Sequence, residues 1–202
     1  MNRVFVCGSM SEGMVHFDKI KSHIESIQNA SVLAAAYQLP SGYPVITAGG
    51  NDWVPGHLVE VKSPDFLIPL LDQFFGFSEF EPQKSLHFRL QATVRTQDSL
   101  ASSVTAWVYY LNPKKLPAKS KTISADQWGQ ALHSPKFMDQ LTDRQKLYIR
   151  KLGQISGREV VPVDLPLYRE LMSLELIVDK GRRLALSKFG QEVYRYLGET
   201  KL

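Results

Sequence analysis

The chain has 202 residues, of which 44% are hydrophobic and 22% charged, and its formal net charge is +4. That balance excludes a disordered polyampholyte and a strongly polybasic protein, and it suffices for one or two soluble domains with true cores. Cys7 is the only cysteine, which excludes an intramolecular disulfide and a cysteine-based metal cluster.

His16, His23, His57 and His133 show no metal-ligand spacing, and no Gly-rich phosphate loop of the Walker type is present, so neither metal nor cofactor is expected. The opening residues carry one Arg and a four-residue apolar run, too short for a secretory leader. No later run approaches the roughly 18 apolar residues of a membrane span. The expectation is a cytoplasmic protein in a reducing setting, without membrane contact.

The elements follow in chain order. Residues 3–7 form a short apolar run ending in Gly8-Ser9, which predicts a buried strand entering a tight loop. Phe17, Ile20, Ile24 and Ile27 fall at helical spacing and predict a helix over 17–27. A strand is expected over 32–39, closed by Pro40-Ser-Gly-Tyr-Pro44. Pro55-Gly56 is read as opening another strand, His57-Leu-Val-Glu-Val61, with period-two alternation. Ser63-Pro64 suits the start of a helix over 65–75, which carries Phe66, Leu67, Leu70, Leu71, Phe74 and Phe75 at helical spacing. Two strands rich in Val, Thr and aromatics are expected over 86–96 and 104–111.

Composition changes at Asn112. Residues 112–121 hold two prolines and four lysines and read as a solvated connection. Thr142 is placed to cap a helix over 143–155 with Leu147, Ile149 and Leu152 as core positions. A short strand at 159–161, a helix over 166–174, a hairpin over 176–186 turning at Lys180-Gly181 and a helix over 188–197 capped by Ser187 complete the chain. The domains expected are 1–130 and 131–202.

Five separated stretches line up, in order, with one family's pattern. Val4-Phe-Val-Cys-Gly-Ser-Met10 is similar to its apolar strand running into Tyr-Gly-Ser/Thr-Leu. Tyr37-Gln-Leu-Pro-Ser-Gly-Tyr-Pro44 is similar to its Tyr-x-Leu…Gly-Tyr-Pro, and Val54-Pro-Gly-His-Leu-Val-Glu-Val61 to its Val-x-Gly-Glu-Leu-Tyr-x-Val. Leu71-Asp-Gln-Phe-Phe-Gly76 stands in the place of Leu-Asp-x-x-Glu-Gly. Arg89-Leu-Gln-Ala-Thr-Val94 and Ala106-Trp-Val-Tyr109 correspond to Tyr-x-Arg-x-x-Val-x-Val and Ala-Trp-Val-Tyr. A fainter echo, 123–128, falls near the family's Gly-Asp-Trp.

On these residues the chain resembles the γ-glutamylcyclotransferase-like, or AIG2-like, family over about residues 3–128. The resemblance implies a small mixed β-barrel with flanking helices and a cavity at one end. It also implies a loop that holds the α-amino acid end of a γ-glutamyl group, and a glutamate acting as general acid/base while the substrate amine closes on its γ-carbonyl to give 5-oxoproline.

Three departures stand out. Phe75 occupies the glutamate position and cannot hold or return a proton, a loss worth on the order of 10²–10⁴ in rate. Cys7 replaces the loop tyrosine, and His87 the tyrosine before the Arg strand. Glu79, Glu81 and His87 are the candidates for a substitute acid/base, although solvated loop carboxylates and a histidine making one structural hydrogen bond are the plainer accounts. His87, opposite in strand alternation to Leu86 and Phe88, is expected to face the cavity. Cys7 reads as a small buried residue rather than a nucleophile. Backbone N–H groups at Gly8-Ser9 suit a carboxylate, so the expected ligand site comprises Cys7, Gly8, Ser9, Met10, Tyr43, Phe75 and His87, and its ligand is a small carboxylate or amino-acid-like molecule.

The C-terminal segment, with a hairpin running into Leu186-Ser-Lys-Phe-Gly190, resembles a winged-helix domain. Lys180, Arg182 and Arg183 at the hairpin tip are candidate phosphate contacts. Only one helix fits between 163 and 174, whereas helix-turn-helix readers use two, and residues 139–202 hold twelve basic against nine acidic side chains. Docking to a protein partner is therefore favoured over DNA binding.

The expected fold class is α+β: a small mixed β-barrel of the γ-glutamylcyclotransferase-like type, followed by a winged-helix-like module. The expected function is a catalytically degenerate, ligand-binding or protein-interaction barrel. The alternatives are an active γ-glutamyl-amine cyclotransferase with a substitute base and a ligand-responsive DNA-binding regulator.

Overall fold

The structure, a computed structural model, describes residues 1–97, 102–155, 160–181 and 183–197. Its contacts divide the chain into two units, which meet in sequence between Ser134 and Pro135.

The first unit is built on β1 (Arg3–Val6), β2 (Ile24–Gln38), β3 (Pro44–Val61), β4 (His87–Thr96) and β5 (Ser103–Leu111). The hydrogen-bonded order is β3-β1-β5-β4-β2, and β2 pairs back onto β3, closing a five-stranded barrel. β1 runs parallel to β5 and all other neighbours are antiparallel, so the barrel is mixed. A short β6 (Lys121–Ile123) lies on the far end of β2. The helices are α1 (Asp18–Lys21), α2 (Pro64–Phe75) and α3 (Ala125–His133).

Strand alternation sorts the side chains into two cores. Phe5, Val32, Ala34, Ile46, Val54, Leu58, Val94, Ala106, Val108 and Tyr110 fill the inside of the barrel. Trp128 of α3, 2% exposed, is packed among them. On the outer face, Val4, Val6, Val59, Val61 and Tyr109 lie under α1 and α2. α2 contributes Leu67, Leu71 and Phe74, whose i, i+4, i+7 spacing makes one buried stripe.

Several expectations are corrected. The helix expected over 17–27 is a single turn, α1, because Ile24 and Ile27 pair with Val61 and Val59 in β2. Pro55-Gly56 opens no strand: both residues lie inside the 18-residue β3, opposite Ser31 and Ala30. Gly56 is there because a Cβ would lie 2.6 Å from the Phe5 ring and from the Val6 carbonyl oxygen. The solvated connection over 112–121 ends in β6, and α3, which no periodicity announced, follows it.

The second unit contains α4 (Asp143–Gln154), α5 (Leu165–Ser173), the hairpin β7 (Ile177–Asp179) and β8 (Leu184–Leu186), and α6 (Lys188–Tyr196). Each helix start has its cap. Thr142 accepts from the Gln145 N–H at 3.2 Å, Asp164 from Leu167 at 2.9 Å and Ser187 from Gly190 at 2.9 Å. Ile149 and Leu152 are buried as expected, but Leu147 is 51% exposed and Tyr148 takes its place. Val160 and Val161 form no strand, and Glu159, the other residue of that expectation, lies outside the described residues. The glycine of Leu186-Ser-Lys-Phe-Gly190 has a packing reason, since a Cβ there would lie 1.9 Å from the Leu176 carbonyl oxygen. Among the described residues no helix is long and apolar enough to cross a membrane.

Candidate functional site

β1 ends at Val6, and residues Gly8–Met10 form one buried turn of 3₁₀ helix. Gly8 has φ +61°, and a Cβ there would lie 2.7 Å from the Pro44 carbonyl oxygen. The close approach this glycine permits is therefore to the protein's own backbone. The Met10 N–H bonds to the Cys7 carbonyl at 3.2 Å and the Ser11 N–H to Gly8 at 3.1 Å, so part of the N–H row is used within the turn. The Ser9 hydroxyl lies 3.0 Å from Nδ1 of the fully buried His16. Cys7 packs against the barrel interior, where burial pushes its thiol up to about 12. A thiol held protonated at neutral pH is a poor nucleophile. Tyr43 is buried at the turn that joins β2 to β3.

From Ser9 a row of rings leads to the position of interest. The His16 and Phe74 rings meet edge-on at 4.8 Å, and Phe74 meets Phe75 at 5.0 Å. Phe75 stacks on Tyr109 with centroids 4.4 Å apart and planes 14° apart, and it meets His87 edge-on at 5.0 Å. These contacts belong to the outer core beneath α2, not to the barrel interior. His87 lies on that face too. It is 7% exposed, its Nδ1 is 2.7 Å from the Phe75 carbonyl oxygen, and it points away from the Phe88 face as alternation suggested, onto the outer face beneath α2 rather than the barrel interior. The inward residue of that pair is Phe88, opposite Tyr110.

Of the polar side chains around Phe75, sequence reasoning singled out His87 but not Asp72, Arg89 or Tyr109. Asp72, three residues before it and so on the same helix face, accepts from Tyr109 Oη at 2.7 Å and from Arg89 Nη1 at 2.7 Å. Burial raises the Asp72 pKa, against the lowering effects of Tyr109 and Arg89. Burial and the Asp72 carboxylate together push the Tyr109 phenol up, so it remains a donor. The available signal was that Asp72, Arg89 and Tyr109 each fall in a stretch that lines up with the family's pattern.

The substitute candidates are all engaged. Glu79 pairs with Arg89 Nη2, Glu81 with Lys84 Nζ at 2.5 Å, and His87 with the Phe75 carbonyl. At the hairpin of the second unit, Lys180 N–H bonds to the Arg183 carbonyl at 3.0 Å, while Arg182 lies outside the described residues.

A closed five-stranded mixed barrel with a helix laid on its outer face, and a Gly-Ser turn after its first strand, defines the class of small cyclotransferase-like barrels. The family model described as "Gamma-glutamyl cyclotransferase, AIG2-like" matches residues 4–130, and the chain belongs to that family. No curated protein matches it.

Three solved structures are similar at low identity. The Bacillus subtilis protein YkqA is 16% identical with a TM-score of 0.41 over 55% of this chain, which spans 36% of that protein's length. An Arabidopsis thaliana protein solved in solution is 16% identical with a TM-score of 0.42, over 74% of this chain and 84% of that one. A γ-glutamyl cyclotransferase is 13% identical with a TM-score of 0.39, over 85% and 98%.

Proposed function

We propose that the barrel is a catalytically degenerate γ-glutamylcyclotransferase-like domain, used to bind a small carboxylate or amino-acid-like molecule or a protein partner. The observation that carries the reading is Phe75. It stands where the resemblance puts the family's acid/base, and its ring is stacked on Tyr109 and packed against His87 and Phe74. A hydrocarbon ring cannot shuttle the proton that ring closure requires. Asp72, the nearest carboxylate on that helix face, is held by Tyr109 and Arg89.

The second reading is a working cyclotransferase with a substitute base. It finds support in Asp72, whose raised pKa suits a proton carrier better than an ordinary surface carboxylate would. The purified full chain, incubated with γ-glutamyl amines and γ-glutamyl dipeptides, is expected to release no 5-oxoproline. Turnover that vanishes in Asp72→Asn, Glu79→Gln, Glu81→Gln or His87→Gln would establish the second reading.

The second unit is read as a winged-helix-like docking module for a protein partner. Lys180 and Arg183 give its hairpin tip at most a weak attraction for phosphates.

A further inference from the structure

Arg89 of β4 is a buried guanidinium with its side chain 10% exposed. Its Nη1 donates to Asp72 Oδ2 and its Nη2 to Glu79 Oε1, and the guanidinium carbon lies 5.0 Å from the Phe77 ring centroid and 4.9 Å from that of Trp107. Its Nε is buried and has no hydrogen-bond partner. Nε and Nη2 together form the side-on edge of a guanidinium, which a carboxylate takes with two parallel hydrogen bonds. Glu79 engages one donor of that edge and leaves the other unmet.

The two carboxylates at Arg89 are not equivalent. Asp72 is 19% exposed and fixed on α2 with a second bond from Tyr109, whereas Glu79 is 69% exposed and lies in the connection after α2. One guanidinium needs one carboxylate for charge balance, so Glu79 is the surplus and replaceable anion. A buried donor without a partner is a standing cost that a bidentate ligand removes.

We propose that the Nε–Nη2 edge of Arg89 is a binding site for a small planar carboxylate, and that Glu79 occupies it as an internal stand-in until a ligand displaces it. The rings of Phe77 and Trp107 beside the guanidinium suit an acid carried on a flat apolar body. This names the ligand class for the small-molecule reading above and rests on that reading.

Benzoate is a suitable probe and benzamide its neutral control, titrated into the full chain with tryptophan emission and calorimetry as readouts, since Trp107 lies against the guanidinium. Benzoate is expected to bind and benzamide not to. Glu79→Gln, an exposed change that leaves the fold intact, is expected to tighten benzoate roughly two- to fivefold, the scale of one exposed ion pair. Arg89→Lys, which keeps the charge but lacks the fork, is expected to weaken it at least as much. Absence of binding in both the native chain and Glu79→Gln, or binding that neither substitution alters, would overturn the proposal. Release of 5-oxoproline would instead overturn the degenerate reading while leaving these titrations as they stand, so the two failures are distinguishable.

Discussion

Phe75 is held by three rings, and its replacement by the family's glutamate tests what those contacts have replaced. Phe75→Glu sets a half-buried carboxylate against Tyr109 and on the same helix face as Asp72. The lost stacking and the crowding of like charges are expected to lower stability by about 1–3 kcal/mol, read from urea midpoints. The same variant is expected to release no 5-oxoproline, because Cys7 and His87 also differ from the family pattern. Robust turnover in this single variant would show that those two departures do not matter.

A second residue-scale test concerns His57, whose pKa is lowered by burial and raised less strongly by Glu12. With the folded value below the ordinary one near 6.5, the unfolded chain binds more protons in the interval just below 6.5. Stability therefore rises with pH through that window. His57→Gln is expected to lose less stability than the native chain between pH 7.5 and pH 5; an equal or greater loss would contradict the account.

At the scale of elements, glycine positions make the sharpest predictions. Gly8 and Gly13 both have positive φ, but a Cβ on Gly8 would strike the Pro44 carbonyl oxygen, whereas none would meet anything within 4 Å at Gly13. Gly13→Ala is expected to cost about 1 kcal/mol from backbone strain alone. Gly8→Ala should cost measurably more, and Gly8→Val should destabilise the barrel rather than merely block a site. Urea denaturation of the pair decides this, and equal costs would contradict the packing at Pro44.

The elements best read from sequence were those with one dominant local signal. α2 has Ser63-Pro64 at its start and an unbroken apolar stripe, and β4 and β5 are dense in branched and aromatic residues. The misreadings were of two kinds. Ile24 and Ile27 fit a helical stripe begun by Phe17 and Ile20, but pairing along β3 overrode that local pattern. Pro55-Gly56 looked like a break because nothing local shows that the Phe5 ring needs the space of a missing side chain. The identity of residue 75 was legible from the Leu-Asp-x-x-Glu-Gly pattern, but its surroundings were not. His87 and Arg89 sit opposite Leu111 and Tyr109 through sheet register, and Glu79 arrives from the connection after α2. Such juxtapositions have no signature within one segment.

For the molecule as a whole, a net charge of +4 and a modest basic excess in residues 139–202 give little long-range pull on nucleic acid. Duplex DNA is expected to bind weakly and without sequence preference, and to be lost near physiological salt. Neutralising Lys180 and Arg183 should change that weak binding only slightly. Salt-dependent titrations check this, and nanomolar binding to a particular sequence would instead make the second unit a DNA reader.

The central claim is that the barrel keeps the family's fold without its proton transfer. Its most direct test is a single-turnover assay with the native chain in excess over a γ-glutamyl amine, following 5-oxoproline by mass spectrometry. The account predicts no product above the protein-free control, in keeping with the loss of the acid/base group at Phe75. Product that forms faster than in that control, survives repurification of the protein and is abolished by Asp72→Asn would contradict it.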